Sequence, residues 1–139
     1  MYIFVDASQH PQTRLAVIGM LLPDNNYILK SISNVTNTQA EILAVIDAIL
    51  YIQQNVPIQP LITIYTDCQT VVDLPSRRHK LVKLKPEYVS LLHCIDTSHS
   101  PIELVHIQGH KRKNEKDSMD ILFSSLDKMV RKELRKLIA

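Results

Sequence analysis

Two apolar stretches of this chain run straight into aspartates. "MYIFVDAS" ends its run at Asp6 and "LITIYTDCQT" ends its run at Asp67. A third acid, Glu41, belongs to the helical pattern "TQAEILAVIDAILYIQQN". Its neighbours three, four and seven residues on are Ala44, Val45 and Ala48, so it lies on an apolar face. A carboxylate buried there is costly unless something pairs with it. The terminal helical pattern carries an apolar stripe through Met119, Leu122, Phe123, Leu126, Met129, Val130, Leu134 and Leu137. Asp120 falls on the flank of that stripe, and Asp117 falls nearly opposite and suits a helix start. Asp127 shares the flank two turns later and is read as a surface charge. Asp6, Glu41, Asp67 and Asp120 are thus expected at one edge of the fold. Unassisted, four such groups would repel one another and be driven towards protonation. Hard oxygen donors of this kind suit Mg²⁺ or Mn²⁺. His106 and His110 invite a zinc reading, but no Cys or His cluster completes such a site.

The elements that must position these acids follow from periodicity. Residues 2–6, 13–21 and 27–33 read as strands separated by "SQHPQ" and "PDNN", and connections this short favour an antiparallel meander. Thr38 is a plausible N-cap for the first helix, which Val56 to Pro60 end. Residues 61–66 and 102–107 read as two further strands, with a short helix within 69–75, another near 86–96, and the long terminal helix last. The expected fold is therefore α/β: a five-stranded mixed sheet, an antiparallel meander followed by parallel strands, flanked by helices over one domain, residues 1–139. Ligands in such sheets gather where strands end and their order switches.

Composition narrows the classes. With only two glycines, Gly19 and Gly109, a glycine-rich phosphate loop is excluded. Cys68 and Cys94 lack metal-binding spacing and point to reduced thiols, hence to the cytoplasm. The strand pattern starting at Tyr2 leaves no room for a signal peptide, and no run is long enough to span a bilayer. The net charge of +2 is too small to announce a nucleic-acid partner, but its distribution is uneven. "SRRHKLVKLK" places Arg77, Arg78, Lys80, Lys83 and Lys85 in one connector, where they can neutralise phosphates. The basic residues of the terminal helix read as a solvated face.

The order of these blocks resembles the ribonuclease H family of type 1. "IFVDAS" is similar to its first block, "NTQAE" to its second, "YTDCQT" to its third and "HIQGHKRKNEKDSMD" to its fourth. The resemblance covers nearly the whole chain in unbroken order. It departs at Ala7, where the family usually has glycine, at Lys116, where it has asparagine, and at Phe123, where alanine is common. The resemblance implies hydrolysis of the RNA strand of RNA/DNA hybrids with two Mg²⁺ or Mn²⁺ ions held by Asp6, Glu41, Asp67 and Asp120. His110 would assist proton movement or product release. Asn37 and Gln69, with Arg77, Arg78 and Lys80 of the connector, would contact the nucleic acid. No membrane or obligate protein partner is expected. Two other readings share the fold: a nuclease acting on DNA, and a non-catalytic nucleic-acid-binding module.

Overall fold

The computed structural model describes residues 1–81, 85–109, 114 and 116–139, with the side chains of residues 80 and 81 left out. Five strands, β1 (Tyr2–Gln9), β2 (Ala16–Leu21), β3 (Tyr27–Ile32), β4 (Ile62–Thr66) and β5 (Ile102–His106), form one sheet in the order β3-β2-β1-β4-β5. The first three are an antiparallel meander, and β4 and β5 run parallel to β1. The expected mixed sheet is the observed one. Helix α1 (Asn37–Asn55) crosses from β3 to β4, α2 (Gln69–Asp73) follows β4, and a 3-10 turn leads into α3 (Arg78–Leu81). Helices α4 (Pro86–Thr97) and α5 (Ser118–Ile138) complete the chain.

Strand alternation divides the core in two. Ile3, Val5 and Ala7 of β1, Ala16, Ile18 and Met20 of β2, and Ile62 and Ile64 of β4 face a cluster built with α1 and α4. Phe4 of β1, and Val17 and Leu21 of β2, face the opposite way, against Phe123, Leu126, Val130 and Leu134 of α5. Strand β2 is buried along its whole length because helices cover both of its faces.

Three boundaries differ from the sequence pattern by two residues or more, each for a local reason. Strand β1 does not end at Asp6. Its parallel pairing with β4 stops at Phe4–Tyr65, but antiparallel pairing with β2 carries it on to Gln9. Asp6 therefore sits where β1 and β4 part company. Strand β2 starts at Ala16 rather than Thr13, because residues 10–15 are a turn. The His10 amide donates to the Leu15 carbonyl, Arg14 adopts φ 59°, and the Thr13 hydroxyl accepts from the Leu15 amide. The N-cap of α1 is Thr36 rather than Thr38. Its hydroxyl accepts from the Gln39 amide at 3.1 Å, and Gln39 Oε1 accepts from the Thr36 amide at 2.9 Å. This reciprocal cap fixes where the helix begins, and hence where Glu41 points.

Gly19 controls how closely α5 approaches the sheet. It pairs with Asp6 across β1 and β2 and faces α5 by alternation. A Cβ there would lie 2.7 Å from both Val130 Cγ2 and Leu29 Cδ2, and 3.2 Å from Leu126 Cδ1. Glycine lets the helix settle on β2 at the level of Asp6. The hydroxyl of Tyr27 adds a second tie by donating to Ser125 Oγ at 2.8 Å. Replacing Gly19 with Ala should lower the unfolding free energy by about 1–3 kcal/mol in denaturant titration, since the stiff Val130 cannot yield without moving α5. An unchanged midpoint would show that the helix has slack at this contact.

Candidate active site

The split between β1 and β4 is a switch point, because the chain leaves β1 towards β2 on one side and returns as β4 on the other. Three carboxylates converge there. Asp6 comes from β1, Glu41 from the second turn of α1, and Asp67 from the residue after β4. One ligand oxygen from each lies within 4.8 Å of the others. Asp6 is 1% exposed and Glu41 6% exposed. The chain is held beyond β4 by the Ile107 amide donating to the Thr66 carbonyl and by Thr66 Oγ1 accepting from the Cys68 amide. Gly109 backs Asp67 closely: a Cβ at Gly109 would lie 3.2 Å from Asp67 Oδ2.

Two aspartates of α5 bear on the fourth position: Asp120, expected there from the sequence, and Asp127. Asp127, read from the sequence as a surface charge, lies close enough to Asp6 to help raise that carboxyl, and its side chain is only 25% exposed. Asp120 is buried too, but in the opening turn of α5. Its amide donates to Asp117 Oδ1 at 2.9 Å, and its Oδ2 accepts from the Asp117 amide at 3.1 Å, a reciprocal cap that confirms Asp117 as the helix start. Seven residues, about 10 Å of helical rise, separate Asp120 from Asp127. Among the described residues, neither Asp120 nor Asp127 is in the close group formed by Asp6, Glu41 and Asp67.

The electrostatics express the crowding. Burial first, then the charges of Glu41, Asp67 and Asp127, push the Asp6 carboxyl well above the usual range. Burial, then Asp67 and Asp127, raise Glu41 from 4.5 to about 8. Asp6 Oδ2 and Glu41 Oε2 are buried without a hydrogen-bond partner. An all-oxygen group with two such orphaned oxygens fits a hard divalent cation such as Mg²⁺ or Mn²⁺.

The other expected contacts are dispersed. Asn37 is exposed at the first turn of α1, near Glu41 along the helix. Gln69 opens α2 and donates to Asp73 Oδ1 at 2.8 Å. Arg77 is exposed, whereas Arg78 forms a two-pronged ion pair with Asp96 of α4, both contacts at 3.0 Å. That pair ties α3 to α4. His110 lies outside the described residues, as do Lys83 and the side chain of Lys80. No helix among the described residues is long and apolar enough to cross a membrane.

Comparison with known proteins identifies the family and the fold. The RNase H family profile matches residues 1–125. The chain belongs to the RNase H family. Among solved structures, LC11-RNase H1 in complex with an RNA/DNA hybrid is similar with a TM-score of 0.74, at 18% identity over 99% of each chain. RNase H1 from the halophilic archaeon Halobacterium salinarum NRC-1 gives a TM-score of 0.70, at 15% identity over 97% of each chain. No curated protein matches the sequence.

The raised carboxyls tie stability to pH. From about pH 4.5 to 8 the unfolded chain has lost the proton of Glu41 while the folded chain keeps it, so stability falls as pH rises through this window. In chelator, the melting temperature should drop between about pH 5 and pH 8, and Glu41→Gln should flatten the slope. Mg²⁺ should raise the melting temperature more at the upper end, where the ligands are ionised. A melting temperature that rises across the window in chelator would contradict this electrostatic picture.

Proposed function

We propose that this RNase H family protein is an endonuclease that hydrolyses the RNA strand of RNA/DNA hybrids with two divalent metal ions, Mg²⁺ or Mn²⁺. The observation that carries the reading is the convergence of Asp6, Glu41 and Asp67, with Asp127 near enough to act on Asp6 and Glu41. Asp6 neighbours Glu41, Asp67 and Asp127 and would hold metal together with them. Glu41 and Asp67 would complete one shell, and Asp127 would serve the other. Asp127, rather than Asp120, is thus the fourth ligand in this reading.

When bound, such ions supply a deprotonated water and stabilise the charge that develops on the leaving 3′ oxygen. The protein's own part is to hold the ligands in place and to orient the substrate. Burial of Asp6 and Glu41 keeps bulk water from competing, and Gly109 fixes one side of Asp67. Asn37 and Gln69 lie on the helices that flank the acids and would touch the duplex, with Arg77 serving backbone phosphates. Arg78 is committed to Asp96, so its contribution would be to place α3. His110 would assist by carrying protons or easing product release. The RNA/DNA hybrid held by LC11-RNase H1 supports the choice of substrate over duplex DNA.

The test is cleavage of a labelled RNA/DNA hybrid, beside double-stranded RNA, double-stranded DNA and single strands, in Mg²⁺, Mn²⁺ or chelator. The protein should cut only the RNA of the hybrid, and only with metal. Asp67→Asn and Asp127→Asn should each reduce the rate on the order of 10³-fold with the fold intact, since each removes several kcal/mol of charge stabilisation. Asp120→Asn should be far milder, acting through the helix cap. Cleavage of DNA would move the substrate. Binding without cleavage would favour a non-catalytic module, and a severe defect in Asp120→Asn alone would return the fourth ligand to that residue.

A further inference from the structure

Helix α5 brings a cation to the site as well as a carboxylate. Arg131 Nε donates to Asp127 Oδ1 at 3.1 Å, one helical turn along. An isolated pair at this spacing would be an ordinary helix-surface contact of little consequence. Here the carboxylate also neighbours the buried acids, because Asp127 is close enough to help raise both Asp6 and Glu41. It therefore lies between the buried acids and a guanidinium that is 46% exposed at the rim.

This arrangement divides the site unequally. The group formed by Asp6, Glu41 and Asp67 can take up a cation without disturbing the arginine. A cation placed between Asp6 and Asp127 must share Asp127 with a positive charge already bonded to it. Coulomb repulsion at such a distance disfavours that second placement. A phosphodiester changes the balance, because its oxygens match the guanidinium fork and offer it a replacement partner.

We propose that Arg131 makes cation occupancy of the Asp6–Asp127 side of the site conditional on a nucleic-acid phosphate. In the free protein it holds Asp127 and opposes the cation. When a diester reaches the rim, the guanidinium engages the phosphate oxygens and Asp127 turns to the metal. Arg131 is thus a positioning residue that couples metal uptake to substrate binding. The proposal rests on the nuclease reading given above.

Isothermal titration of the full chain with Mn²⁺ alone tests it, first without nucleic acid and then with a hybrid made uncleavable by 2′-O-methyl ribose. In the free protein, Arg131→Gln should bind Mn²⁺ more tightly, on the order of tenfold at low ionic strength, because the competing charge is gone. The same variant should lose most of the gain in Mn²⁺ affinity that the hybrid confers on the wild type. Arg131→Lys, which keeps the charge but not the fork, should stay close to wild type in the free protein and recover only part of the gain. A purely structural role for Arg131 would weaken metal binding or leave it unchanged in Arg131→Gln, and either result overturns the proposal. Asp67→Asn separates the two levels of inference. If the wild type binds Mn²⁺, Asp67→Asn does not, and Arg131→Gln matches the wild type, only the coupling fails. If the wild type takes up no Mn²⁺ with or without the hybrid, the nuclease reading fails and the coupling with it.

Discussion

Carboxylates that repel one another set the terms for this fold. Asp6 and Glu41 are almost fully buried with Asp67 beside them, and Asp127 adds a fourth acid close to the first. Left to themselves, such groups would move apart or hold protons, as the raised Asp6 and Glu41 carboxyls attest. Each is restrained by a separate piece of the scaffold. Pairing with β2 carries β1 past Asp6, the Thr36–Gln39 cap orients α1, and the hydrogen bonds around Thr66 hold the turn that presents Asp67. Gly19 admits α5 closely enough for Asp127 to reach Asp6. The stability sacrificed at this edge is available to be recovered when a cation binds.

The convergence of Asp6, Glu41 and Asp67 was legible in the sequence, for reasons that survive in the structure. Asp6 and Asp67 follow apolar strand runs, and Glu41 sits among alanines and a valine on an inward helical face. The nearness of Asp127 to Asp6 was not. Seven residues are close to two helical turns, so Asp120 and Asp127 project from the same flank and a helical wheel cannot separate them. What separates them is depth along α5, and that is set by the seating of Leu126 and Val130 against Gly19, a contact between distant parts of the chain. Two local signals pointed the right way. Asp117 and Asp120 have the spacing of a reciprocal helix cap. Val130, three residues after Asp127, is the smaller residue that a close helix–sheet approach requires, whereas Phe123 holds that place relative to Asp120.

The basic residues show the same limit. Their clustering in the connector after α2 was visible, but not their partners. Arg78 is spent on Asp96, a tertiary pairing between α3 and α4 that no local pattern announces. Arg131 reads from the sequence as one member of a solvated face, but its guanidinium is bonded to Asp127, a neighbour of Asp6. Helix α5 thus carries an acid and its counter-charge one turn apart, while its buried stripe serves the core.

The central claim is that these four acids form a metal site with Asp127 as its fourth member. Anomalous scattering from crystals grown with Mn²⁺ and an uncleavable RNA/DNA hybrid tests it most directly. The account predicts anomalous peaks on both sides of Asp6, one bounded by Glu41 and Asp67 and the other by Asp127, with none at Asp120. A peak held by Asp120, or no peak beside Asp6, would contradict it.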